Sequence, residues 1–329
     1  MEFRRVGSSG LKVSSIGLGT WINFSSVEDH VPLIKLAMEQ GIFHFDTADL
    51  YGAIPGWSEE LLGKSLKGIR RSSYVLATKV FTKVGEMPND QGLSRKHIME
   101  SCERSLKRLQ TDYIDIYYCH RFDENTPLYE TMDAMATLKN QGKIHYVGIS
   151  MWEAEQIRQF CTLAKEFKVQ VIANQLLYNV IQRPNQKILD TCKEFGVGLI
   201  PYSPLAQGLL TGKYADDIPS GSRGATSHRN KWLHRLMDNP QVMGALHEYL
   251  SICKREDILP SAAAYRWLLA QDNVAGTVSG FSHPQQLEEI IQLQELTIPD
   301  RVLEELDEFY LRQFSWGAGG FSETRRSNT

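Results

Sequence analysis

FHFDTADLYG (residues 43–52) and YVLATK (residues 74–79) each carry an apolar run that ends in a charge, Asp46 in the first and Lys79 in the second. A third run, YIDIYYC (113–119), closes on His120. Four to five apolar residues bounded by a charge and turn formers read as short buried strands. An acid, a base and an imidazole thus stand at the downstream ends of three successive strands, with Tyr51 in the loop after the first. In a parallel barrel those ends all open on one face, and that face is where barrel enzymes carry out chemistry.

Outward from this centre the alternation of strand and helix continues. FRRVGSSGLKV at the start has two short alternating runs around Ser8-Ser9-Gly10, the pattern of a hairpin that could plug one end of a barrel. Barrel strands are expected at 15–19, 42–45, 75–77, 113–119, 146–150, 171–174, 197–202 and 275–279. Helices are expected at Val27–Gln40, Ser58–Leu66 with Ser58 as cap, Ser94–Leu109, Leu128–Asn140, Glu153–Lys168, Asn185–Phe195 and Pro284–Gln294. Eight such units close most simply into a parallel barrel. The stretch 203–273 is too long for a loop and carries helical periodicity at Pro240–Lys254 and Ser261–Ala270. A last helix fits Asp300–Arg312. The expected fold is therefore α/β, a (β/α)8 TIM barrel with an N-terminal hairpin and extra helices between strands 7 and 8. It forms a single domain over 1–314, followed by a flexible tail at 315–329 in which Trp316 and Phe321 are candidates for a lid.

Bulk properties exclude several classes. The chain has 329 residues, a formal net charge of −3 with acids and bases interspersed, 23% charged and 42% apolar residues. No basic footprint for nucleic acid is present. No apolar run reaches the ~18 residues needed to cross a bilayer, so membrane insertion is not expected. MEFRRVGSSGLKV lacks the apolar segment of a secretory signal, and the expected location is cytoplasmic. The five cysteines are dispersed without a Cys-x-x-Cys pair, which argues for reduced thiols; no metal site is expected.

Taken singly, Asp46, Tyr51, Lys79 and His120 have ordinary readings as an ion pair, a packing tyrosine and a core histidine. Taken together they have a chemical one. A phenol, with pKa near 10, is a poor acid at neutral pH unless a cation sits beside it. Lys79 would be that cation, held charged by Asp46, and a neutral His120 could hydrogen-bond a carbonyl oxygen. This set suits protonation of an oxygen while a separate donor delivers hydride to carbon. No Gly-x-Gly-x-x-Gly follows a strand, so a Rossmann domain is not expected. Barrels instead hold phosphates with the loops after strands 7 and 8. Those loops are YSPLAQGLLTGKY (202–214) and GFSHPQQLEE (280–289), where Ser282 and Gln285 have capping-box spacing and Lys213 and Arg223 can add positive charge.

In order along the chain, GLGTW (17–21), FDTADLYG (45–52), TK (78–79), DYIDIYYCHR (112–121), GKIHYVGIS (142–150), NQLLYN (174–179) and YSPLAQGLLTGKY resemble the aldo-keto reductase superfamily over nearly the whole length. GLSRKHIMESCERSLKRLQTDYID (92–115) and 202–214 resemble most the branch that contains voltage-gated potassium channel beta subunits and their bacterial reductase relatives. The resemblance implies NADPH (NADP+) bound without a Rossmann fold, and reversible reduction of a small-molecule aldehyde or ketone. By motif, Asp46, Tyr51, Lys79 and His120 fill the catalytic tetrad, with Tyr51 the general acid. Ser150 and Gln175 would hold the carboxamide and Tyr202 would stack on the nicotinamide. Ser203, Leu205, Gly208, Lys213 and Arg223 would line the pyrophosphate channel, and Ser282, Gln286 and Glu289 would meet the adenosine end. Thr20, Trp21, Asp46, Pro204, Ala206 and Gly280 complete the implied cofactor set. Trp21, Trp57 and Trp152 are candidates either for walls of the substrate pocket or for packing at the barrel rim.

The sequence departs from the family pattern at Met151 and Ile290, where Asn is usual, and Ser282 has only His283 as a neighbouring cation. NADH use and a homo-oligomeric state stay open. A second expectation is a cofactor-binding regulatory subunit of a channel or other partner with vestigial activity, against which His120 stands, since channel subunits typically carry Asn there.

Overall fold

The computed structural model describes residues 1–21, 26–225, 231–281, 283–293 and 297–314. β1 (Phe3–Arg5) and β2 (Lys12–Ser14) form the expected antiparallel hairpin. The repeating units follow as β3 (Ile16–Gly19) and α1 (Val27–Glu39), β4 (His44–Asp46) and α2 (Trp57–Ser65), β5 (Val75–Val80) and α3 (Arg95–Leu109), β6 (Ile114–Cys119) and α4 (Leu128–Asn140). After them come β7 (Ile144–Ser150) and α5 (Ala154–Glu166), then β8 (Val171–Gln175) and α6 (Gln186–Glu194), then β9 (Gly198–Leu199). The long excursion holds α7 (Lys231–Met237), α8 (Pro240–Arg255) and α9 (Pro260–Ala270). It returns to β10 (Thr277–Ser279), α10 (Pro284–Leu293) and α11 (Asp300–Phe314).

The eight-stranded sheet runs in the order β10-β3-β4-β5-β6-β7-β8-β9, every pair parallel. Its two ends meet at Leu199, whose N–H donates to the Asn273 carbonyl at 2.9 Å and whose carbonyl accepts from Ala275 N–H at 2.9 Å. The chain is thus a (β/α)8 barrel carrying an N-terminal hairpin. The hairpin seats on the upstream ends of the closing strands: Ser8 N–H donates to the Gly196 carbonyl at 2.9 Å and Arg4 Nη1 to the Val274 carbonyl at 3.3 Å. A side chain on Gly7 (φ +55°) would run into the Gly196 carbonyl, so glycine is required at this approach.

Two compact units can be distinguished. One comprises 1–176, 186–200 and 273–287 and contains the barrel strands; the other comprises 177–185, 201–272 and 288–329. Within the second, the Arg183 guanidinium lies over the rings of Trp267 and Tyr310, at 4.1 and 4.2 Å from their centroids. It also donates to Asp307 at 2.6 Å and to the Leu306 carbonyl at 2.9 Å.

Three expectations need correction. The seventh barrel strand, expected over 197–202, is only Gly198–Leu199, because Pro201 has no N–H to continue a ladder. Ser58 is not the cap of α2: Gly56, in the left-handed region at φ 85°, occupies that position. Ser58 N–H instead donates to the Tyr51 carbonyl at 3.0 Å, tying the loop to the helix. The excursion also holds α7 and 3₁₀ turns at Ala206–Thr211 and Arg223–Ala225, pieces too short to leave a periodic signature. The tail at 315–329, with Trp316 and Phe321, lies outside the described residues. All five cysteines are free and buried. No helix among the described residues is long and apolar enough to cross a membrane.

The barrel interior is packed where two glycines make room. A Cβ on Gly148 in β7 would enter the ring of Tyr118 in β6, and one on Gly17 in β3 would lie 2.8 Å from His44 Nδ1. His44 is fully buried, and burial pushes its imidazole down to about 4. The unfolded chain takes up a proton near pH 6.5 that the folded protein refuses until about pH 4, so stability falls as pH drops through that window. His44 accounts for about 3 kcal/mol of this loss; His30, pushed down to about 3 by burial, adds to it. Urea unfolding of His44→Gln at pH 7, 6, 5 and 4.5 is expected to show a slope shallower by close to one proton.

Candidate active site

The four residues singled out at strand ends come together. β4 and β5 pair with Asp46 opposite Ala77, and β5 and β6 pair with Lys79 opposite Tyr118, so the upper interior of the barrel receives Asp46 and Lys79 side by side. Lys79 Nζ donates to Asp46 Oδ1 at 2.5 Å and to the Thr47 carbonyl at 2.6 Å. Both side chains are almost fully buried, at 0% and 3% exposure. Lys79 Nζ lies 4.9 Å from the centre of the half-buried Tyr51 ring, which meets His120 edge-on at 5.7 Å between centroids and 75° between planes. Two backbone bonds brace the Tyr51 loop besides the one from Ser58: Tyr51 N–H to the Ala48 carbonyl at 3.1 Å, and Gly56 N–H to the Asp49 carbonyl at 2.6 Å.

Protonation states follow from burial and charge. Burial would neutralise Lys79, but the Asp46 carboxylate and the hydrogen-bonded Tyr51 outweigh it and its pKa is raised. The Tyr51 phenol is also raised, because burial outweighs the opposing pull of Lys79. The lysine moderates the phenol without bringing it below an ordinary tyrosine, so Tyr51 is protonated at neutral pH and able to donate. His120 is pushed well below the usual imidazole range, first by burial and then by Lys79 and Arg121. It is neutral, and its Nδ1 has no protein hydrogen-bond partner among the described residues.

Other contacts were not foreseen from sequence. Gln175, expected to face a carboxamide, donates its Nε2 to Asp46 Oδ2 at 2.9 Å and so occupies the second carboxylate oxygen. Behind the loop, Glu59 is fully buried, accepting from Thr78 Oγ1 at 2.6 Å and from Arg108 Nε at 2.7 Å. Asp49 lies in the same region, its carboxyl pushed well up by burial and then by Glu59. Period-2 alternation could have flagged Tyr118, which shares a strand face with His120. Nothing local marks the Glu59 to Arg108 pairing, because it joins two helices.

The expected cofactor residues fall in both units. In the first, Thr20 is buried with its hydroxyl unpartnered among the described residues, Trp21 is 36% exposed, Ser150 and Gln175 are buried, Gly280 is exposed and Gln286 is half-buried. Trp152 is not a pocket wall: it is 1% exposed and packs against Phe122 and Phe160. Ser282, and with it the capping box to Gln285, lies outside the described residues.

In the second unit, Ser203, Ala206, Gln207 and Gly208 all take left-handed φ values, 55°, 46°, 60° and 98°. Pro204 and Ala206 are buried and Leu205 half-buried in the same turn, whose Gly208 N–H donates to the Leu205 carbonyl at 2.8 Å. A Cβ on Gly208 would come within 3.4 Å of Lys213 Nζ, which places the exposed ammonium against the turn. Left-handed residues outside glycine cost about 1–3 kcal/mol each and gather at functional sites. Tyr202 bridges to Leu177, Arg223 sits in a 3₁₀ turn and Glu289 is exposed on α10.

The sequence profile described as "Aldo/keto reductase family" matches residues 15–311. This chain belongs to the aldo/keto reductase family. Among curated relatives, L-glyceraldehyde 3-phosphate reductases of Escherichia coli strains K12 and O157:H7 are each 36% identical over 318 residues, covering 94% of this chain and 92% of theirs. A Schizosaccharomyces pombe protein provisionally named voltage-gated potassium channel subunit beta is 36% identical over 323 residues, covering 94% and 93%. Aldo/keto reductases are oxidoreductases that use nicotinamide cofactors and act on small carbonyl compounds, and this chain's fold and family agree with that general activity.

Removing Lys79 leaves a buried carboxylate without its cation, which costs about 3–5 kcal/mol. Lys79→Met should lose that much by urea unfolding. Lys79→Met combined with Asp46→Asn should lose less than the two single changes summed, and strict additivity would disprove the coupling.

Proposed function

We propose that this chain is an NADPH-dependent reductase that converts aldehydes or ketones to alcohols, with Asp46, Tyr51, Lys79 and His120 as its catalytic residues. The observation that carries this reading is the buried Lys79 ammonium, held by Asp46 and lying against the Tyr51 phenol while a neutral His120 meets the same ring edge-on. A bound reduced nicotinamide supplies hydride. Tyr51 holds the proton for the carbonyl oxygen, and Lys79 stabilises the phenolate left behind when that proton departs. His120, uncharged, donates a hydrogen bond that orients the carbonyl without competing as an acid. Asp46 keeps the ammonium charged in a place where burial alone would neutralise it, and Gln175 fixes the carboxylate.

Each unit offers groups of the kind a nicotinamide dinucleotide needs. Lys213 lies against the left-handed turn at 206–208 and can offer positive charge to a phosphate there. Thr20, at the end of β3, offers a buried hydroxyl that has no partner among the described residues. The preference for NADPH over NADH would rest with the loop after β10, where His283 is exposed.

Loss of near-ultraviolet NADPH absorbance with a panel of aldehydes and ketones tests the reading. Wild type is expected to turn over, and Tyr51→Phe to fall about 10²–10⁴-fold, the usual scale for a lost general acid, with cofactor-dependent quenching of tryptophan fluorescence retained. Equal rates in the two proteins would remove Tyr51 as proton donor. The likeness to a channel-subunit relative favours a second reading, a cofactor-binding regulatory subunit. A stable partner in pull-down, together with turnover slower than cofactor exchange, would select it.

A further inference from the structure

Arg121 follows His120 at the downstream end of β6 and is exposed. Its Nη1 donates to the His120 carbonyl at 3.0 Å, and no carboxylate among the described residues pairs with it. Arginine carries five N–H donors in a planar fork, so most of that fork stays available. Its charge reaches the reacting groups, acting on both the Tyr51 phenol and the His120 imidazole. Of the neighbouring acids, Glu124 is exposed and makes no ion pair with Arg121, and two others are committed elsewhere. Asp46 is taken by Lys79 and Gln175. Asp123 accepts from Leu93 N–H at 2.7 Å, Asn125 N–H at 3.0 Å and Thr126 Oγ1 at 2.7 Å. Lys83, in the loop after β5, is already paired with Glu86.

Barrel topology separates this cation from the strands whose loops suit phosphates. In the closed order β10-β3-β4-β5-β6-β7-β8-β9, β6 stands four places from β10 in either direction. A dinucleotide held beyond β9 and β10 leaves the β6 side to the substrate.

We infer that Arg121 recognises the substrate, and that this reductase prefers short aldehydes bearing an anionic group, a phosphate or a carboxylate, whose oxygens fill the guanidinium fork while the carbonyl lies at Tyr51 and His120. The inference rests on the reductase reading for its carbonyl end and on Arg121 for its anionic end. Arg121 contributes through binding and takes no part in proton transfer.

Matched substrates test it: glycolaldehyde phosphate against glycolaldehyde, and succinic semialdehyde against butyraldehyde, with wild type, Arg121→Gln and Arg121→Lys. Loss of a charge-assisted hydrogen bond predicts a KM raised about 10–100-fold for the anionic member of a pair. The neutral member of each pair should lose much less than its anionic partner, and Arg121→Lys should fall between wild type and Arg121→Gln, because it keeps charge and loses the fork. An effect confined to one pair identifies phosphate or carboxylate as the anion. Equal losses on charged and neutral substrates, no loss on either, or weaker NADPH binding in Arg121→Gln would overturn the inference. Calorimetry of glycerol 3-phosphate and 4-hydroxybutyrate, with and without NADP+, gives a readout independent of turnover. If no aldehyde is reduced, the reductase reading fails, and the inference is then decided by whether these anions bind wild type and lose that binding in Arg121→Gln. Absence of binding to wild type would also overturn it.

Discussion

A single ammonium group buried inside a parallel barrel sets the terms for everything around it. Lys79 has no exposed surface, and an isolated charge there would give up its proton. Asp46 prevents this at 2.5 Å, and Gln175 steadies the far carboxylate oxygen. The three side chains come from β5, β4 and β8, so the arrangement exists only when the barrel is closed. Charge is retained in a dry interior, where a neighbouring phenol feels it far more than it would in water.

Much of this was legible in the sequence, for a physical reason. The apolar runs ending in Asp46, Lys79 and His120 are short and bounded by charges and turn formers, as buried strands are, and α4 falls where Leu128–Asn140 was expected. What was not legible is non-local. Ser58 looked like a helix cap from its neighbours alone, yet the left-handed Gly56 starts that helix and Ser58 serves the Tyr51 loop instead. The seventh strand looked long because VGLIPY is uniformly apolar, whereas Pro201 ends its ladder. Trp152 could be read as a pocket wall or as packing, and it packs, in ring contact with Phe122 and Phe160.

The electrostatics refine the sequence argument as well. The placement of Lys79 beside Tyr51 led to the expectation of a more acidic phenol, but burial acts on the same group in the opposite direction and prevails. The result is a phenol that stays protonated at neutral pH. Glu59 and Arg108 join α2 to α3 behind the loop, and their pairing keeps that loop's foundation rigid without touching the chemistry.

The seam of the barrel has a consequence for how the molecule is made. β3 and β9 are the free margins of the sheet until β10 arrives, and residues 201–272 intervene before it does. A nascent polypeptide that has emerged as far as β9 therefore carries two open margins of unpaired backbone groups, which are templates for pairing between molecules. Only after Ser279 has left the ribosome can both be sealed, so slow translation through the excursion would prolong the period in which this chain is most prone to associate with copies of itself.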